Sequence, residues 1–112
     1  MEWHPRFGVL RLKGDMRLWG RPELEEQLLK TFQSGMQDLV NQLVLNLAGI
    51  TTLDTMGITA LIRVLIECTK RRIGLRVVMP SGVAGESLRR VRVFEPWPSY
   101  KDEAAAVRAA GA

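Results

Sequence analysis

The chain has 112 residues, 46% of them hydrophobic and 25% charged, with a net charge of +4 and a pI near 9.8. That length is one domain, burying roughly two-thirds of its unfolded surface, and the balance excludes a disordered chain. No apolar run reaches the ~20 residues of a spanning helix, so a single domain over residues 1–112 without membrane insertion is expected.

The amino terminus, "MEWHPRFGVLRLKG", has no apolar run between its charges to serve as a signal peptide, which makes the cytoplasm the expected location. "FGVLRLK", from Phe7 to Lys13, alternates as a strand with one buried face does. Gly14 and Asp15 predict a turn after it, and "MRLW" reads as a further short strand or extended segment. From Arg21 the pattern becomes helical. Pro22 suits a first helical position, Glu23, Glu25 and Glu26 crowd the positive end, and Leu24, Leu28, Leu29 and Phe32 form the inward stripe. Gly35 ends it.

Leu43 to Leu47 is a short apolar block rich in branched residues, with Asn46 its one polar break, and reads as a buried strand. "ITALIRVLIECTKRR" places Ile58, Leu61, Ile62, Leu65, Ile66 and Thr69 at three- and four-residue steps, the stripe of a long helix. Between the two lies "DTMG", a strand-to-helix junction. Asp54 is placed to cap the free backbone N–H groups and Thr55 to stand exposed in the first turn, where a phosphate would be welcome.

"IGLRVVM", from Ile73 to Met79, is another buried strand, and strand, helix, strand at this spacing favours parallel pairing. "PSGVAGESLRRV" opens with a proline and a serine suited to capping, then runs into a short helix carrying Val83, Leu88 and Val91. "FEPWPSY" must be extended or turned, and Asp102 to Ala110 is an alanine-rich helix. The expected fold class is α/β, a small mixed sheet of about four to five strands with helices packed mainly on one side.

Several chemistries find no support. One histidine and one cysteine cannot build a zinc site, and His4 reads as a surface residue near the terminus. Cys68, on the apolar helix without a nearby base, reads as a buried structural thiol. Asp15 and Asp54 have no partner acid at fixed spacing, so turn and capping roles suit them. The glycines are scattered, and none opens a phosphate-binding loop with lysine. Lys70, Arg71, Arg72, Arg89, Arg90 and Arg92 close two helices, where cations suit the negative dipole end, and no aromatic platform is interleaved with them. No catalytic residue, metal, cofactor or nucleic-acid partner is therefore expected, and the chain is not read as an enzyme.

The run "LVLNLAGITTLDTMG", followed by an apolar helix, "LRVVM" and a short helix, resembles the STAS domain, whose best-known single-domain members are bacterial anti-sigma factor antagonists. The resemblance covers nearly the whole chain, from "VLRLKGDM" to the helix after "YKDEA". In that family a buried strand and a turn lead to Asp-Ser-Ser-Gly, or a variant, opening a helix. Asp54, Thr55, Met56 and Gly57 fill those four places. The resemblance implies a switch, in which a serine/threonine kinase-type anti-sigma factor binds this surface and ends the association by phosphorylating a hydroxyl there. While bound it would release its sigma factor. A homodimer stays open.

The pattern departs in two places. Antagonists of sporulation and stress responses carry the phosphorylated serine directly before the glycine, where this chain has Met56. Asp-Thr-Met is similar instead to the STAS domains of stressosome proteins, in which the hydroxyl after the aspartate is modified. Thr55 is thus the expected phosphosite, set against a role in capping beside Asp54, while Thr51 and Thr52 weigh less. Many antagonists also carry Gly-Glu-Leu-Asp and use the last acid on the partner face; here Gly14, Asp15, Met16 and Arg17 end on a base.

The expected partner-binding set is Asp15, Arg17, Trp19, Asp54, Thr55, Met56 and Gly57. Trp19 is the tryptophan nearest that face, while Trp3 and Trp97 read as rim-of-core residues, and Met56 suits either an interface or burial against the sheet. The alternative readings are a STAS subunit clamping the ATPase of a lipid-transport ABC transporter, which Met56 favours, and a stressosome-type scaffold.

Overall fold

The computed structural model describes residues 2–3, 7–35, 41–92 and 94–111, so His4 and the side chain of Trp3 lie outside it. Five strands, β1 (Glu2–Trp3), β2 (Gly8–Met16), β3 (Gln42–Leu53), β4 (Gly74–Val78) and β5 (Ser99–Tyr100), lie side by side in chain order. β1 runs antiparallel to β2, and every other neighbouring pair is parallel. The helices are α1 (Pro22–Gly35), α2 (Thr55–Lys70), α3 (Gly82–Val91) and α4 (Glu103–Gly111). This is the expected α/β class with a mixed sheet.

Side chains alternate between the two faces of the sheet, as the period of a strand requires. Leu10, Leu43, Leu45, Leu47, Leu75 and Val77 join Phe32 of α1, Leu61 and Val64 of α2, and Leu88 of α3 in the main core. Phe7, Val9, Val44 and Val78 face the other way, against Ala106 and Ala110 of α4. Three helices therefore cover one face and one covers the other. The alanines of α4 let it sit close to the sheet, and its first residue anchors it, because Glu103 accepts two bonds from Arg11 at 2.6 and 2.8 Å and one from Asn46 at 3.0 Å. That contact accounts for the polar break in β3.

Five expectations are corrected. No turn forms at Gly14 and Asp15; β2 continues to Met16, and Gly14 takes a φ of +86° where the ladder shifts register against β3. A residue free to adopt positive φ serves a bulge as well as it serves a turn. In step with it, β3 runs on to Leu53 rather than stopping at Leu47.

The buried stripe of α2 is Gly57, Ala60, Leu61, Val64, Leu65 and Cys68, turned from the expected face so that Ile66 is 47% exposed. Gly57 explains the rotation. A Cβ there would stand 2.1 Å from the Met16 carbonyl oxygen, so the helix start lies directly on the end of β2 and sets which residues follow inward. In α3 the inward residues are Ala84, Gly85 and Leu88, while Val83 and Val91 are exposed. Ser81 occupies the N-cap position of α3 but its side chain makes no capping bond.

Candidate functional site

Parallel strands followed by helices bring the ends of β2 and β3 and the start of α2 to one edge of the sheet. Asp54 stands at the meeting point. Its extended backbone ends β3, and Oδ1 accepts the Gly57 N–H at 2.8 Å, the side-chain cap of α2. The same Oδ1 accepts the Leu18 N–H at 2.9 Å, and Oδ2 accepts the Trp19 N–H at 2.9 Å. One carboxylate thus satisfies three backbone donors from two segments. Burial pushes its pKa upward, but the donors of Leu18, Gly57 and Trp19 outweigh that and hold it below the usual aspartate range.

Thr55 is the first residue of α2 and is exposed. Its carbonyl accepts the Thr59 hydroxyl at 2.9 Å, whereas the capping bond belongs to Asp54. Met56 is half-buried and packs on the main core, and Gly57 is buried against Met16. The expected set therefore divides. Thr55 and Trp19, the latter 79% exposed, present themselves to solvent, while Asp54 and Gly57 hold the edge in shape.

Asp15 and Arg17 form a second element of the edge. The guanidinium grips both carboxylate oxygens, with Nη2 2.7 Å from Oδ2 and Nε 2.9 Å from Oδ1, and the Arg17 N–H adds a bond of 2.9 Å to Oδ1. Thr52 Oγ1 donates to Asp15 Oδ1 at 2.6 Å. The hydrogen bonds from Arg17 first, then that from Thr52, hold the Asp15 carboxyl far below its usual range, and the same pair raises the pKa of Arg17. The base at position 17 is consequently not a bare positive charge. It is one half of an exposed ion pair.

Thr52 and Leu18 were not legible as contributors. Thr52 is the register partner of Asp15, a relation that exists only because both strands run longer than their apolar blocks. Leu18 contributes an N–H, which its own side chain does not signal.

A search of curated proteins finds no match. Among solved structures, an anti-sigma factor antagonist from Mycobacterium paratuberculosis superposes with a TM-score of 0.75 at 20% identity, covering 99% of this chain and 91% of that one. A sulfate transporter family protein from Wolinella succinogenes gives 0.76 at 16% identity, with 94% and 84% covered. The anti-sigma factor antagonist SpoIIAA in its unphosphorylated form gives 0.66 at 17%, with 97% and 93% covered. These likenesses are of fold. The STAS domain profile matches residues 1–106, taking in both strand ends, the Asp54 cap and the first four residues of α4, and the chain accordingly belongs to the STAS domain family.

Proposed function

We propose that the chain is an anti-sigma factor antagonist that binds a serine/threonine kinase-type anti-sigma factor in the cytoplasm, so releasing a sigma factor, and that phosphorylation of Thr55 ends the binding. The observation that carries this reading is the exposed Thr55 at the first position of α2, beside a cap supplied by another residue. A phosphate there adds about −2 of charge. The positive end of a helix stabilises an anion, so the fold of the modified chain is retained while the surface offered to the partner becomes more negative.

The chain acts as a ligand in this scheme and supplies no catalytic group. Trp19 gives the face an exposed aromatic anchor, the residue type that dominates binding energy at interfaces. The Asp15 and Arg17 pair, in place of the single acid expected from antagonists, sets a different charge pattern and selects a different partner surface.

Affinity capture of the tagged chain from its own cells, with mass spectrometry of the bound proteins, tests the assignment. A small ATP-binding protein kinase supports it. A transporter ATPase bound to a chain unmodified at Thr55 replaces it with the lipid-transport reading, in which Met56 belongs to the contact and no switch is needed.

A further inference from the structure

Between the end of α3 and the start of β5 lies a cavity of about 260 Å³. Its shape follows from the way the chain leaves the helix. Arg92, the C-cap of α3, takes a left-handed φ of +59°. The Glu95 N–H then donates to the Arg92 carbonyl at 3.4 Å, and the Trp97 N–H to the Phe94 carbonyl at 3.1 Å. These turns bring Phe94 back into the main core before the Pro98 carbonyl accepts the Val77 N–H at 3.0 Å and β5 begins. The lining that results is of two kinds. Leu88 and Phe94, both buried, and half-buried Met79 make its inner wall apolar. Arg89, Arg92, Glu95 and Ser99, all exposed, make its mouth polar.

The charges that line the cavity do not cancel. Glu95 lies 3.7 Å from Arg92 and offsets it, whereas the Arg89 guanidinium has no ion pair or side-chain hydrogen bond among the described residues. Glu86, one turn earlier on α3, forms no ion pair with it. A guanidinium presents two parallel N–H donors that match the two oxygens of a carboxylate, and the pairing strengthens beside apolar walls that exclude water. The Ser99 hydroxyl is a further donor on the same lining. As for the rest of the ligand, an apolar cavity of about 150 Å³ holds one benzene ring, so the space here suits a single ring bearing a short acid chain.

We propose that this cavity is a small-molecule site for an aryl carboxylate, with the acid group on Arg89 and the ring against Leu88 and Phe94. An apolar pocket with a few convergent polar groups is the form such sites take. The sign of the lining opposes a cation, and a bare inorganic anion leaves the apolar wall uncovered. No residue of the lining belongs to the Thr55 edge, so the site does not rest on the anti-sigma factor reading. Because the lining comes from α3, the turn after it and β5, a bound acid ties the end of the helix to the edge strand and stabilises the folded chain.

The test uses the whole chain labelled with ¹⁵N and four probes: phenylpropanoate, the alcohol and the amine with the same carbon skeleton, and inorganic phosphate. The acid should shift the amides of Leu88, Arg89, Phe94 and Ser99 saturably, and bind about tenfold or more tightly than the alcohol, the usual worth of a hydrogen-bonded charge pair. Arg89→Gln, at an exposed position, should remove that advantage while leaving the affinity for the alcohol as it was, and Arg89→Lys should restore only part of it. Arg72→Gln, the same loss of charge at the end of α2, should change neither affinity. The proposal is overturned if these amides do not move with the acid, if the alcohol, the amine or inorganic phosphate binds as tightly, or if Arg89→Gln binds the acid like the unaltered chain.

Discussion

The Trp19 N–H donates to Asp54 Oδ2 at 2.9 Å, so the residue that caps α2 also holds the loop leaving β2. The loop carrying the exposed tryptophan and the helix carrying the exposed threonine are thereby fixed to one another through a single carboxylate. Removing it should be felt in both. Asp54→Ala is expected to cost about 2 kcal/mol, the upper end for loss of an N-cap, because two further donors lose their partner. Asp54→Asn, which keeps acceptors, should cost less; urea unfolding of the three proteins would show the order.

The same carboxylate makes stability depend on pH. Its pKa lies below the ordinary 3.8 in the folded chain, so its contribution is fully present above that value and is lost as pH falls through the lower folded one. Asp15 acts in the same direction. Unfolding monitored by circular dichroism below pH 4 should therefore show a falling limb, and Asp54→Ala should make that limb shallower.

Gly57 touches the end of β2 so closely that a methyl group has no room. Gly57→Ala should destabilise the fold by about 1–3 kcal/mol, the usual range for overpacking, despite the better helix propensity of alanine. Thermal melting is the check, and a stabilised variant would mean that the helix start does not rest on Met16.

Burial pushes the Cys68 thiol up to about 12 from an ordinary 9.0. The unfolded chain loses this proton first, so the contribution of Cys68 to stability declines as pH rises from about 9 toward 12. Cys68→Ala should flatten that alkaline decline, and a thiol reagent should label the native protein far more slowly than the unfolded one.

The order of elements, the crossover and the class of fold were readable because they rest on apolar periodicity, and the Asp54 cap because an acid before a helical stripe has few other uses. The face of α2 was not readable. Ile62 and Ile66 are more hydrophobic than Gly57 and Ala60, and only close backbone packing gives the small residues the inward place. The ends of β2 and β3 were missed for a related reason, since Gly14, Asp15, Thr51 and Thr52 are turn formers by composition, yet the ladder continues past them through the Asp15 and Thr52 pairing, with a register shift at Gly14. Asn46 looked like a defect in a strand until Glu103 of α4 supplied its partner, 57 residues along the chain.

Met56 stands next to Thr55 and is only half-buried, so a charge there falls on the face proposed for the partner. Met56→Asp should weaken binding of the captured partner tenfold or more, about 1.4 kcal/mol or above, through repulsion and desolvation. A melting curve would establish that the variant is folded. Unchanged affinity would remove Met56 from the contact.

The most direct measurement is mass spectrometric mapping of phosphate on the chain after incubation with its captured partner and ATP, alongside Thr55→Ala. The account predicts one phosphate, on Thr55, absent from the variant and accompanied by release of the partner. Phosphate appearing on another residue, or incorporated undiminished by Thr55→Ala, would contradict it.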